Sequence, residues 1–114
     1  MSGIKILCVE DRPEYMAKLT FMLTKIGYEV MPASSGQQAI EMLTSQAVDG
    51  VLLEHNLPDV DSSTVRTQLK ALRPDIPVLL FSGVTRQTPF MLRFFDAYLR
   101  NPDRMEGSWG DMDL

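Results

Sequence analysis

Short apolar runs alternate along this chain with longer stretches whose apolar residues recur every three or four positions. The first run, residues 4–9, is rich in β-branched side chains and stops at Glu10, Asp11, Arg12 and Pro13, which predicts a strand buried on both faces. Met16, Leu19, Leu23 and Ile26 then repeat at helical spacing, with Pro13 suited to the first turn and Gly27 to the stop. Residues 28–31 read as a second strand. Ser34, Ser35 and Gly36 offer capping groups to a helix carrying Ala39, Ile40, Leu43 and Ala47 on one face. Residues 50–53 form a third strand, and Asp61, Ser62 and Ser63 open a helix with Val65, Leu69 and Leu72 inward, ended by Pro74. Residues 77–81 form the fourth strand, Thr88 and Pro89 open a short helix through Phe95, and residues 97–100 read as a fifth strand.

Strict alternation of strand and helix over 114 residues predicts one α/β domain. Its sheet is parallel and doubly wound, with helices on both faces and right-handed crossovers. In such sheets ligands bind beyond the carboxyl ends of the strands. Function is therefore sought at Glu10 and Asp11, at Glu54 to Asn56, at Ser82 and Gly83, and at Asn101.

Composition narrows the function classes. At 45% hydrophobic and 23% charged the chain has ordinary globular usage. A net charge of -4 argues against a phosphate-backbone partner, because nucleic-acid binding rests on clustered Lys and Arg. The one cysteine, Cys8, lies inside the first strand and builds neither a disulfide framework nor a Cys-rich zinc site. His55, the one histidine, lacks His or Cys partners and is expected to face solvent. The eight methionines fall mostly on helical faces, as core filling. No apolar run approaches the roughly 20 residues of a membrane helix, and no signal peptide precedes the first strand, so a cytoplasmic location is expected.

The strand ends together resemble a family. Ile-Leu-Cys-Val-Glu-Asp at 6–11, Asp-Gly-Val-Leu-Leu-Glu-His-Asn-Leu-Pro at 49–58, Pro-Val-Leu-Leu-Phe-Ser-Gly at 77–83 and Tyr-Leu-Arg-Asn-Pro at 98–102 are similar to the motifs of the receiver domain of two-component response regulators. The resemblance covers residues 4 to about 102 and implies a flavodoxin-like, three-layer, five-stranded sheet of order 2-1-3-4-5. It also implies a Mg²⁺ held by Glu10, Asp11, Glu54 and the backbone of Asn56, with Glu54 at the phosphoacceptor position. Ser82 is then the hydroxyl that binds the phosphoryl oxygens, Asn101 stands at the lysine position, and Tyr98 is the rotamer switch.

Two of these positions depart from the family pattern, which has aspartate where this chain has Glu54 and lysine where it has Asn101. The extra methylene carries the carboxylate on the order of an ångström into the space of the phosphoryl group. The neutral amide removes a cation that phosphoryl transfer uses. Glu54 on this reading imitates a phosphorylated aspartate. Three acids at one place need a cation or a proton: either a weak Mg²⁺ is retained, or one carboxyl is protonated, or Arg12 or Arg86 folds in.

The expected organisation is a receiver domain at 1–102, with a shortened fourth helix, and a tail at 103–114 in place of a reduced or absent fifth helix. The expected function is an atypical, phosphorylation-independent receiver acting by protein–protein interaction, through a kinase, a signalling protein or a homodimer, at the fourth helix, fifth strand and C-terminal region. The alternative is a Mg²⁺-dependent phosphoacceptor using Glu54 or a neighbouring acid. A flavodoxin-like enzyme or nucleotide binder ranks last, because no Gly-rich phosphate loop follows the first strand.

Overall fold

The order of elements is β1 (Lys5–Val9), α1 (Pro13–Ile26), β2 (Glu29–Ala33), α2 (Gly36–Ser45), β3 (Gly50–Glu54), α3 (Ser62–Leu72), β4 (Val78–Phe81), α4 (Thr88–Arg100) and β5 (Asp111–Asp113). The structure, a computed structural model, describes residues 3–101 and, for its backbone, the strand Asp111–Asp113. All pairings are parallel and the strands lie in the order β2-β1-β3-β4-β5. No helix among the described residues is long and apolar enough to cross a membrane.

Side chains of a strand point alternately to opposite faces, and here the alternation divides the interior into two cores. Ile6 and Cys8 of β1, Leu52 of β3, and Leu79 and Phe81 of β4 pack with Leu19 and Leu23 of α1 and with Met91, Leu92 and Phe95 of α4. Leu7 and Val9, Val51 and Leu53, and Val78 face the other way, against Ala39 and Leu43 of α2 and Val65 and Leu69 of α3. Burial on both faces explains why β1 and β3 read as unbroken apolar runs.

The chain beyond β4 departs from the sequence expectation. Residues 97–100 are helical rather than a strand, so α4 runs for 13 residues, past the end expected at Phe95. Met91, Leu92, Phe95 and Leu99 form one helical stripe on the α1 face. A Cβ at Gly50 would stand 3.0 Å from the ring of Phe95 and 3.4 Å from Leu99, so glycine there lets α4 lie close on β3. Asp96 joins the two ends of this face: it accepts from the hydroxyl of Tyr28 and, at 2.7 Å, from Nε of Arg100 one turn on. The fifth sheet position is held by Asp111–Asp113, inside the segment expected to be a tail. The expected loss of a fifth helix falls outside the described residues.

Helices α1 and α4 pack on the same face of the sheet; the hand of the crossover from β4 to β5, expected to be right, lies outside the described residues.

Candidate functional site

The carboxyl ends of β1, β3 and β4 meet at one corner. Glu54, the last residue of β3, pairs with Phe81 of β4 and is 0% exposed; Glu10, just past β1, is 1% exposed. Two carboxylates this deeply buried are costly unless hydrogen-bonded and paired. The corner supplies both. Glu54 Oε1 accepts from the backbone N–H of Gly83 at 2.9 Å and from Arg12 Nη2 at 2.9 Å, and Oε2 accepts from the N–H of Asn56 at 2.9 Å. Glu10 Oε2 accepts from Arg12 Nε at 3.1 Å and from the Arg12 backbone N–H at 2.9 Å.

Arg12 is thus the hinge of the corner. It precedes Pro13, which favours extended backbone, and its φ of -90° and ψ of 118° fit that. From this position the side chain folds back between the two acids, and its guanidinium carbon lies 4.3 Å from the ring centre of Tyr15. A Cβ on Gly83 would lie 3.6 Å from Tyr15 Cε2, so tyrosine, guanidinium and the loop after β4 are packed together. The φ of Gly83, 69°, is left-handed and suits glycine. The longer glutamate carries its carboxylate across to this loop, so Glu54 links three strand ends.

The electrostatics follow from the burial. Desolvation pushes the carboxyl of Glu10 above the ordinary range, against the hydrogen bonds from Arg12, and the nearby Glu54 pushes the same way. Hydrogen bonding to Glu10 raises the Arg12 guanidinium further. Asp11 Oδ1 is buried and has no hydrogen-bond partner among the described residues. Burial, with the charge of Glu10, pushes the Cys8 thiol up to about 12, which makes it an inert core residue.

The structure brings together Glu10, Glu54 and the backbone of Asn56, and leaves Ser82 at the rim. Ser82 is exposed and its Oγ accepts from Asn56 Nδ2 at 3.4 Å. Tyr98 and Asn101 are elsewhere. Asn101 is the C-cap of α4, and Tyr98 lines a depression with Ile4, Asp49, Asp75, Pro77 and Leu99 at the amino ends of the strands. A helix of this length advances about 20 Å, and α4 starts beside Ser82, so its last turn ends at the opposite edge of the sheet. His55 is exposed, as expected, with Nδ1 3.3 Å from the hydroxyl of Ser62.

The Mg²⁺ that the resemblance implies does not fit this corner as arranged. The guanidinium of Arg12 takes the position between Glu10 and Glu54, and no three carboxylate, imidazole or thiol groups among the described residues are disposed to hold a metal ion. Sequence reasoning named Arg12 only as one option and missed Tyr15 and the Gly83 N–H. An arginine two residues past a buried acid, held extended by the following proline, is the signal that could have found it.

A parallel α/β sheet of order 2-1-3-4-5 with helices on both faces belongs to the flavodoxin-like class of doubly wound folds. Residues 6–99 match the model of the response regulator receiver domain, and the chain belongs to that family. It is 37% identical over 81 residues to the transcriptional regulatory protein ZraR of Escherichia coli, covering 71% of this chain and 18% of that protein. It is 31% identical over 109 residues to the transcriptional regulatory protein TcrA of Mycobacterium tuberculosis, covering 93% of this chain and 43% of that one. The chain therefore spans less than half the length of these two relatives. Among solved structures, a CheY-like receiver domain protein from Methanospirillum hungatei shares the fold at a TM-score of 0.79 and 17% identity, over 90% of this chain and 98% of that one. The receiver domain of a sensor histidine kinase from Pseudomonas aeruginosa, with a magnesium ion coordinated in its active-site cleft, does so at a TM-score of 0.69 and 22% identity, over 97% and 84%.

Proposed function

We propose that this receiver domain works in two-component signalling without phosphorylation, its corner held in one electrostatic state and its signal passed by protein contact. The observation that carries the reading is the engagement of Glu54: all three contacts to its carboxylate point into the protein, from Arg12, Asn56 and Gly83. An attacking carboxylate needs an open in-line approach to the phosphodonor and a cation on the transferring oxygens. The cation at this corner is spent on the carboxylates themselves. Weak or lost Mg²⁺ binding, and a cytoplasmic setting, belong to the same proposal.

The contact surface in this reading is the outer side of α4. Phe90 is 71% exposed and edges a groove of about 320 Å³ that also touches Phe81, Thr88 and Met91. Exposed aromatic surface of this kind marks protein contacts. A partner protein such as a histidine kinase is the occupant proposed; a second copy of the chain is the outcome that sedimentation would reveal.

The test is intact mass after incubation with Mg²⁺ and acetyl phosphate, with a Glu54→Asp variant alongside. The native chain is expected to stay unmodified. A base-labile phosphoryl group on the native chain overturns the reading in favour of a working phosphoacceptor. A phosphoryl group on the aspartate variant alone identifies Glu54 as the block.

A further inference from the structure

We propose that Arg12 is the resident cation of the corner and the residue that keeps a divalent ion out of it, so that removing its guanidinium turns the corner into a divalent-cation site. The inference deepens the proposed function by naming what sets the corner's fixed state.

Charge and geometry carry it. Arg12 contacts both buried acids: Nε donates to Glu10 at 3.1 Å, and Nη2 donates to Glu54 at 2.9 Å and to Glu10 Oε1 at 3.4 Å. A guanidinium cannot lose its proton in a protein, so it is a permanent counter-ion, and its fork matches two carboxylates at once. A metal ion between these acids would take the guanidinium's place and meet its charge. Without the guanidinium, two buried carboxylates would lose their counter-ion. Glu10 and Glu54, both buried, offer hard oxygens to a replacement cation. Oxygen-rich sites of this kind suit Mg²⁺ and Mn²⁺.

The arginine can be removed without dismantling the turn. Its backbone N–H, which any residue but proline keeps, makes its own bond to Glu10 Oε2 at 2.9 Å. The side chain is 39% exposed and lies over Tyr15, so methionine preserves the apolar stem while deleting the charge.

The experiment titrates Mn²⁺ into the native chain, Arg12→Met, and the double variant Arg12→Met with Glu54→Gln. Binding is followed by calorimetry and by the shift in melting temperature between EDTA and millimolar MnCl₂, with no phosphodonor present. The single variant is expected to bind at least roughly tenfold more tightly than the native chain, to regain thermal stability on metal addition, and to lose both gains in the double variant. Native binding as tight as that of Arg12→Met overturns the proposal, since the guanidinium then excludes nothing. A folded Arg12→Met chain that ignores millimolar Mn²⁺ overturns it as well. Because no phosphoryl transfer is read, this inference and the phosphorylation-independent reading fail on different results.

Discussion

The guanidinium of Arg12 lies 2.9 Å from Oε1 of Glu54, joining the turn that leaves β1 to the last residue of β3, forty-two positions further along the chain. Removing one member of a buried ion pair costs about 3–5 kcal/mol, because the partner is left unpaired. Arg12 is partly exposed, so solvent screens part of that loss. Arg12→Met is therefore expected to lower the unfolding free energy by about 2 kcal/mol, seen as a lower urea midpoint at unchanged slope. A loss under about 0.5 kcal/mol would class the contact with ordinary surface pairs.

Glu10 makes the pH dependence of stability unusual for a carboxylate. Its folded-state pKa is raised, by burial first and against the pull of Arg12, so the native state takes up this proton more readily than the unfolded chain. A raised value means that the stabilising contribution is complete below the unfolded carboxylate range and disappears as pH rises through the folded value. Between those two values acidification should favour the native chain relative to Glu10→Gln. Urea midpoints of both proteins at neutral pH and at pH values descending toward the ordinary carboxylate range check this. A native advantage that shrinks with acid would reverse the sign.

The sheet was legible in the sequence because β1 and β3 are buried on both faces, which leaves unbroken apolar runs ending at Glu10 and Glu54. The acid corner was legible for the same reason: a carboxylate that closes such a run has nowhere to go but the strand end. The last helix was not. Ala97, Tyr98, Leu99 and Arg100 are too short a run for periodicity to separate strand from helix, and what decides is tertiary: Leu99 continues the stripe of Phe95 onto Gly50. With the helix extended, the positions read as switch and lysine moved away from the corner. Ala97 is exposed, so Ala97→Val tests the assignment by its sign. In a helix the substitution costs about 0.5 kcal/mol, whereas in a strand it would stabilise.

Asp59 links the loop after β3 to the start of α2. Its carboxylate accepts from the N–H groups of Gly36 and Gln37, both at 3.1 Å, two of the amides a helix start leaves unpaired. Desolvation pushes the pKa of this exposed side chain up, but the N–H groups of Gln37 and Gly36, with those of Asp59 and Val60, outweigh that and hold it below the usual value. A lowered value means stability that is present above the unfolded pKa and is lost as pH falls through the folded one. Asp59→Ala is expected to cost about 1 kcal/mol at neutral pH, and the difference from the native chain should vanish in strong acid. A cost that persists unchanged at low pH would assign the effect to packing instead of the charge.

Gly83 holds the third strand end to Glu54 through its N–H, with a left-handed φ of 69°. A Cβ there would stand 3.6 Å from Tyr15 Cε2 and 4.0 Å from Arg12 Nη2, ordinary contact distances, so space does not forbid a side chain. Backbone conformation is what opposes it. Gly83→Ala should cost about 1–2 kcal/mol through the left-handed conformation, and Gly83→Asn less, because asparagine visits that region more readily. Urea unfolding of the two variants measures the difference. If the loop instead shifts to relieve φ, the N–H to Glu54 is lost, and amide hydrogen exchange at residue 83 should accelerate in the alanine variant while the asparagine variant stays protected. Equal stability and equal protection in both would show that Gly83 is neither strained nor tied to the carboxylate.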